Sequence, residues 1–100
     1  MGAIRWTDEA IRWLVEIHGS IAPDNPSAAQ RVVDGIAKKA EILELFPEAG
    51  QHLDHPSGLN LRILLYGHYR IAYVVKPDRG IDIIGVYHGA LDLARHLPDL

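Results

Sequence analysis

Residues 59–89 read LNLRILLYGHYRIAYVVKPDRGIDIIGVYHG, three apolar runs separated by turn formers, and no other stretch limits so strongly what the chain can become. The runs are rich in β-branched, aliphatic and aromatic residues, as strands are. Their connections, Tyr66-Gly67-His68 and Pro77-Asp78-Arg79-Gly80, are of hairpin length, so an antiparallel meander is expected. Strands so poor in polar residues belong in a sheet core, where a guanidinium is costly to bury unless it is paired or faces a cleft. Arg62, Arg70 and His88 therefore stand out as side chains that packing does not explain.

The first half of the chain reads as the support for that sheet. Residues 3–6 alternate weakly and suit a short edge strand. Thr7 offers an N-cap hydroxyl, and Asp8 and Glu9 place negative charge where a first helical turn favours it. Ile11, Leu14, Ile17 and Ile21 then recur at helical spacing, with Ala10 and His18 on the flanks, until Pro23 stops the helix. Asn25 and Pro26 form a second cap and first turn. Ala29, Val32, Val33, Ile36, Ala40, Leu43 and Phe46 keep the period for about five turns, up to Pro47. Gly35 interrupts that helix at a cost of roughly 1 kcal/mol relative to alanine, which close packing against a neighbour would explain, so the two helices are expected to form an antiparallel hairpin crossing near Gly35. Ile11, Leu14 and Ile17 against Val32, Ile36 and Leu43 are the expected internal core. Residues 47–58 have turn formers and little period and read as a loop of about a dozen residues. The tail after His88 suits one or two helical turns before Pro98.

With 100 residues, one domain spanning residues 1–100 is expected. A hydrophobic fraction of 48% beside 23% charged residues is that of an ordinary globular chain and argues against disorder. Cysteine is absent, which removes disulfides, thiolate catalysis and thiolate metal sites and suits a cytoplasmic location. Neither a targeting segment nor a membrane-spanning run is visible, so no membrane partner is expected. A net charge of −3 argues against binding nucleic acid by broad phosphate attraction, while leaving room for a local basic cleft.

The functional reading of the basic trio is a cleft on the sheet face away from the helices, with Arg62 and Arg70 holding phosphate and His88 exchanging a proton near neutral pH. Its structural rival has Arg70 bridging to a carboxylate such as Asp82 or Glu48, Arg62 at an edge and His88 ending a strand. Parity of the turns decides which side chains share a face. A three-residue turn after Leu65 puts Arg62 and Arg70 together and a two-residue turn separates them; an odd-length final connection joins Arg70 to His88 and an even one joins it to Tyr87. Tyr66, Tyr69, Tyr73 and Tyr87 are candidates for base stacking or acid–base support, with a core or rim place expected for Tyr69 and Tyr73. His52, Asp54 and His55 have metal-ligand chemistry but sit in a loop without a third fixed ligand, so neither a metal nor a cofactor is expected. Trp6 and Trp13 read as packing residues. Glycine-rich phosphate loops, nucleophile elbows and paired catalytic carboxylates are absent.

The opening IRWTDEAIRWLVEIHGSIAPDNPSAAQRVVDGI, the loop FPEAG, and HYRIAYVV followed by IIGVYHGALDL together resemble the RelE/ParE superfamily, the plasmid-stabilisation toxins of type II toxin–antitoxin modules. The resemblance covers nearly the whole chain. It implies an α+β fold with an N-terminal strand and an antiparallel two-helix hairpin packed on one face of an antiparallel sheet that ends in a three-strand meander. It also implies a growth-inhibiting toxin held inactive by a cognate antitoxin, in a hetero-oligomer. Two mechanisms occur in that superfamily. RelE-like members cut messenger RNA on the ribosome with basic residues and a histidine or tyrosine, and ParE-like members poison DNA gyrase. By resemblance Arg70 matches the arginine of the YR-hydrophobic-Y strand, His88 the histidine ending the last strand in some RNA-cutting members, and Arg62 a position where several members have a basic residue. The chain departs from the nuclease pattern: it has no lysine between Lys39 and Lys76, a glycine follows His88, and the overall balance is acidic. The ParE-like side is therefore favoured, with catalysis by Arg62, Arg70 and His88 expected only if the chain is a nuclease. An apolar sheet edge and the exposed side of the helical hairpin are the places where a disordered antitoxin segment would fold on binding.

Overall fold

Thr7 does two jobs at the start of the chain. Its hydroxyl accepts the Ala10 N–H at 3.2 Å, capping a helix, and donates to the Ile83 carbonyl at 2.7 Å, which fixes that helix to the last strand. The computed structural model describes residues 2–89, 91 and 93–100. In it β1 (Ile4–Trp6) leads into α1 (Asp8–Ile21) and α2 (Pro26–Ala40), followed by β2 (Gln51–His52), β3 (Asn60–Tyr66), β4 (Tyr69–Val75), β5 (Ile81–His88) and the short α3 (Leu93–His96). Asn25 caps α2 through its side-chain oxygen, which accepts the Ala28 N–H at 3.0 Å, with Pro26 in the first turn. Ala90 and Asp92 of the HGALDL segment lie outside the described residues.

The strands form one sheet in the order β1-β5-β4-β3-β2. The expected meander of β3, β4 and β5 is antiparallel throughout, but β1 runs parallel to β5, with Ile4 opposite Ile81 and Trp6 opposite Ile83, so the sheet is mixed. The helical hairpin intervenes between β1 and the meander and returns the chain to the far edge, which allows parallel pairing. β2 pairs with β3, His52 opposite Arg62, inside the segment expected to be loop. Two residues are too few to show alternation in a sequence.

Three local expectations need correction. On α1 the buried stripe is centred on Ala10 and Ile17, and Ile11 is 45% exposed, because the small Ala10 allows the helix to approach the sheet and turns Ile11 outward. The second helix ends at Ala40 and tightens into a 3-10 turn over Glu41–Glu44. The change from 3.6 to about 3 residues per turn keeps Leu43 buried and leaves Leu45 and Phe46 each 63% exposed. Gly35 does pack closely, but against the sheet: a Cβ there would collide with the Tyr66 hydroxyl of β3, not with α1.

The sheet is covered on both faces. Leu64, Ile71, Tyr73, Ile81, Ile83 and Val86 pack under the helices with Ala10, Ile17, Ile36, Ala40 and Leu43. On the other face Leu61, Ala72, Val74, Ile84 and Tyr87 are covered by Leu53, Ile63, Leu91, Leu93 and Leu97. Trp13 belongs to both clusters. Because β1 pairs only with residues 81–83, the rest of that edge of β5 is open, and Trp13 reaches round it to set its ring edge-on to Tyr87 at 4.8 Å.

Candidate functional site

Two features of the meander place the basic residues. Tyr66 pairs with Tyr69, so the first hairpin has a two-residue turn, Gly67-His68, with Gly67 at φ 56° in the first central position. Leu65 then opposes Arg70, and Arg62 opposes Tyr73, on the other face. The last connection, 76–80 between the paired Val75 and Ile81, is odd in length, which by parity alone joins Arg70 to His88. A bulge at Ile84 intervenes: Ala72 opposes Gly85 while Tyr73 opposes Ile83, and beyond it Arg70 opposes Tyr87 and His88 opposes Tyr69. Arg62 and His88 thus share the helix-side face and Arg70 stands on the opposite one. Even on their shared face, Arg62 and His88 lie against Tyr73 and Tyr69, four residues or ~13 Å apart along β4.

Each arginine is engaged by backbone. Arg62 donates through Nη1 to the carbonyls of Gly50 at 2.8 Å and Glu48 at 3.3 Å, and through Nε to the Asn60 side chain at 3.1 Å. Tyr73 ties the same segment, its hydroxyl donating to the Pro47 carbonyl and accepting the Gly50 N–H, both at 2.8 Å. The FPEAG motif is therefore a loop clamped to the sheet by two side chains. Arg70 Nη2 donates to the carbonyls of Leu91 at 2.6 Å and Gly89 at 3.3 Å and ties the tail to the sheet. The carboxylates expected as its structural partners are elsewhere. Asp82 lies opposite Arg5 in register and binds Arg5 at 3.2 Å and Lys76 at 3.5 Å, and Glu48 supplies only its carbonyl, to Arg62.

His88 is exposed at the end of β5, stacked on His68 with ring centroids 6.2 Å apart and edge-on to Tyr69 at 5.7 Å. Tyr73 and Tyr87 are fully buried. Desolvation raises both phenol pKa values, that of Tyr87 to about 12, so at neutral pH both remain hydrogen-bond donors and neither serves as a base. Tyr66 and Tyr69 are half-buried at the rim. His52 Nδ1 lies 3.5 Å from Asp54, and among the described residues no group of three or more His, Cys, Asp or Glu is placed to hold a metal ion. No helix among them is long and apolar enough to cross a membrane.

The exposed apolar surface lies elsewhere. Ile11, Leu14, Val15 and Val33 line a groove between α1 and α2, with Val15 65% exposed and His18 at its end. A second groove runs between α2 and the outer edge of β3, where Tyr66, Ile42 and Leu45 meet Lys38 and Lys39. Since β2 covers only Ile63 and Arg62, that edge of β3 is open beyond residue 63. The helical period missed Val15 because it falls outside the buried stripe; an apolar residue between Arg12 and Glu16 on a polar face was the available signal.

Comparison with known proteins agrees with this architecture. A profile described as the ParE toxin of type II toxin–antitoxin system, parDE, matches residues 4–93. A toxin candidate of Sinorhizobium fredii (strain NBRC 101917 / NGR234), Y4kP, is 36% identical over 85 residues, covering 85% of each chain. In fold, the chain is similar to a structure of a chromosomal ParDE system from P. aeruginosa, with a TM-score of 0.74, 22% identity, and 88% of this chain and 96% of that one covered. It is also similar to the RelBE2 toxin–antitoxin complex from Mycobacterium tuberculosis, with a TM-score of 0.64, 19% identity, and coverage of 87% and 96%. By sequence, over nearly its whole length, the chain belongs to the ParE toxin family of type II toxin–antitoxin systems.

Proposed function

We propose that this chain inhibits growth in the cytoplasm by binding a protein target such as DNA gyrase, stabilises the replicon that carries it, and is neutralised by a cognate antitoxin. The observation that carries the target reading is the separation of Arg62 from Arg70 on opposite sheet faces, each with its guanidinium on backbone carbonyls. RNA cleavage without a metal asks for cationic and acid–base groups around one phosphate. Arg62, Arg70 and His88 are not so gathered, and a net charge of −3 gives no broad attraction for ribosomal RNA. Both points favour protein binding over the ribosome-dependent nuclease.

Antitoxin binding is supported by the two apolar grooves beside the helices. An amphipathic helix fits the groove of Ile11, Leu14, Val15 and Val33, and an added strand fits the open edge of β3 next to Tyr66. The two solved structures of similar fold are described as a ParDE toxin–antitoxin system and a toxin–antitoxin complex. Supercoiling and cleavage assays of gyrase with purified toxin test the target: inhibition or trapped cleavage is expected, and no effect at stoichiometric excess overturns the reading. Messenger RNA ends mapped on translating ribosomes test the nuclease alternative, for which new ends lost in an Arg70→Ala, His88→Ala double variant would be required.

A further inference from the structure

On the sheet face away from the helices, a groove of about 670 Å³ separates residues 53–56 from the C-terminal turn. Leu53, Pro56, Leu93, Leu97 and Leu100 give it apolar walls, and Asp54, His55 and Asp99 stand in its lining, which includes no lysine or arginine among the described residues. Both walls are preset. Leu53 N–H donates to the Leu61 carbonyl at 2.9 Å, and the Ser57 N–H donates to His55 Nδ1 at 3.1 Å, fixing the near side. Arg70 on the Leu91 carbonyl and the Tyr87 hydroxyl on the His96 carbonyl at 3.1 Å fix the far side. A groove ordered before binding loses little conformational entropy on filling.

We propose that this groove docks an apolar segment of another protein that carries lysine or arginine, at a surface separate from the grooves beside the helices. The occupant's chemistry follows from the lining. The leucines ask for apolar side chains, and two carboxylates beside His55, with no lysine or arginine among the described lining residues, attract a basic group and repel phosphate, which disfavours nucleic acid. Asp54 has a fully exposed carboxylate, paired with His52 Nδ1 at 3.5 Å and open to an arriving charge from solvent. The inference does not depend on whether gyrase is the toxin's target.

The test uses the full chain and two fluorescein-labelled amphipathic peptides of equal length, one of leucine and lysine and one of leucine and glutamate, read by anisotropy. Binding of the lysine peptide at least roughly tenfold tighter than the glutamate peptide is expected, and an Asp54→Lys, Asp99→Lys double variant should lose that preference. A Glu16→Lys, Asp24→Lys variant changes net charge equally on exposed positions outside the groove and should keep it. Methyl NMR shifts on binding are expected at Leu93, Leu97 and Leu100. Equal binding of both peptides, loss in the control variant, or shifts confined to Ile11, Leu14 and Val15 would overturn the proposal. So would self-association of the unliganded chain that perturbs the same leucines, which would make a second copy the occupant.

Discussion

Tyr73 and Arg62 lie opposite each other on β4 and β3 and clamp the same loop, Tyr73 holding Pro47 and Gly50 and Arg62 holding Gly50 and Glu48. A register pair thus converts a glycine-containing connection into a fixed part of the sheet face. Gly50 is required at this contact, since a Cβ would lie 2.7 Å from both the Ile63 carbonyl oxygen and the Tyr73 hydroxyl.

Tyr73→Phe should therefore destabilise the fold by about 2–4 kcal/mol, because it leaves the Gly50 N–H and the Pro47 carbonyl without their buried partner. Urea denaturation at neutral pH measures it. A loss below about 0.5 kcal/mol would mean that water replaces both bonds.

Arg70→Ala should release the tail before it unfolds the domain. Amide exchange at residues 93–97 is expected to speed up by more than tenfold, with a global loss of about 2 kcal/mol from the carbonyls of Gly89 and Leu91. Unchanged exchange there would show that Leu91, Leu93 and Leu97 hold the tail by packing alone.

Stability should fall with alkali between about pH 10 and 12. In the unfolded chain Tyr87 ionises near 10, while burial keeps it protonated in the folded chain up to about 12, so across that window the unfolded state binds fewer protons and gains on the folded one. The loss approaches about 2 kcal/mol for this residue, and Tyr73, raised in the same direction, adds to it. Melting temperatures of the wild type and Tyr87→Phe across pH 9–12 check this; the variant should show the shallower fall.

Val15→Glu should leave stability within about 0.5 kcal/mol, as the side chain is 65% exposed, yet weaken antitoxin binding by roughly thirtyfold or more if the hairpin groove is the docking site. Co-expression of toxin variant and antitoxin gives the readout: growth arrest despite the antitoxin is expected. Full neutralisation would move the site to the open edge of β3.

Much of the frame was legible. Thr7, Asn25 and Pro26 cap or open the helices they were expected to, and the three apolar runs are the meander. The arrangement of Arg62, Arg70 and His88 was not, for two reasons: the two-residue turn Gly67-His68, which the sequence left open against a three-residue one, parts Arg62 from Arg70, and one inserted residue parts Arg70 from His88. Ile84 forms a bulge between two β-branched or aliphatic stretches that look continuous, and it reverses the parity by which connection length assigns faces. Nor does a sequence show that a guanidinium will find carbonyls instead of carboxylates. Arg70 meets the tail and Arg62 the FPEAG loop only after the whole sheet has formed.

The parallel pairing of β1 with β5 sets the order of events during synthesis. Ile4 has no partner before Ile81, and the sheet residues that the apolar faces of α1 and α2 cover are spread over 64–86, so the nascent chain lacks its complete core for most of its translation. A message broken or stopped before β5 yields a fragment in which β1 has no edge partner and the helices lack half of their sheet, so the fold depends on reading the message nearly to its end.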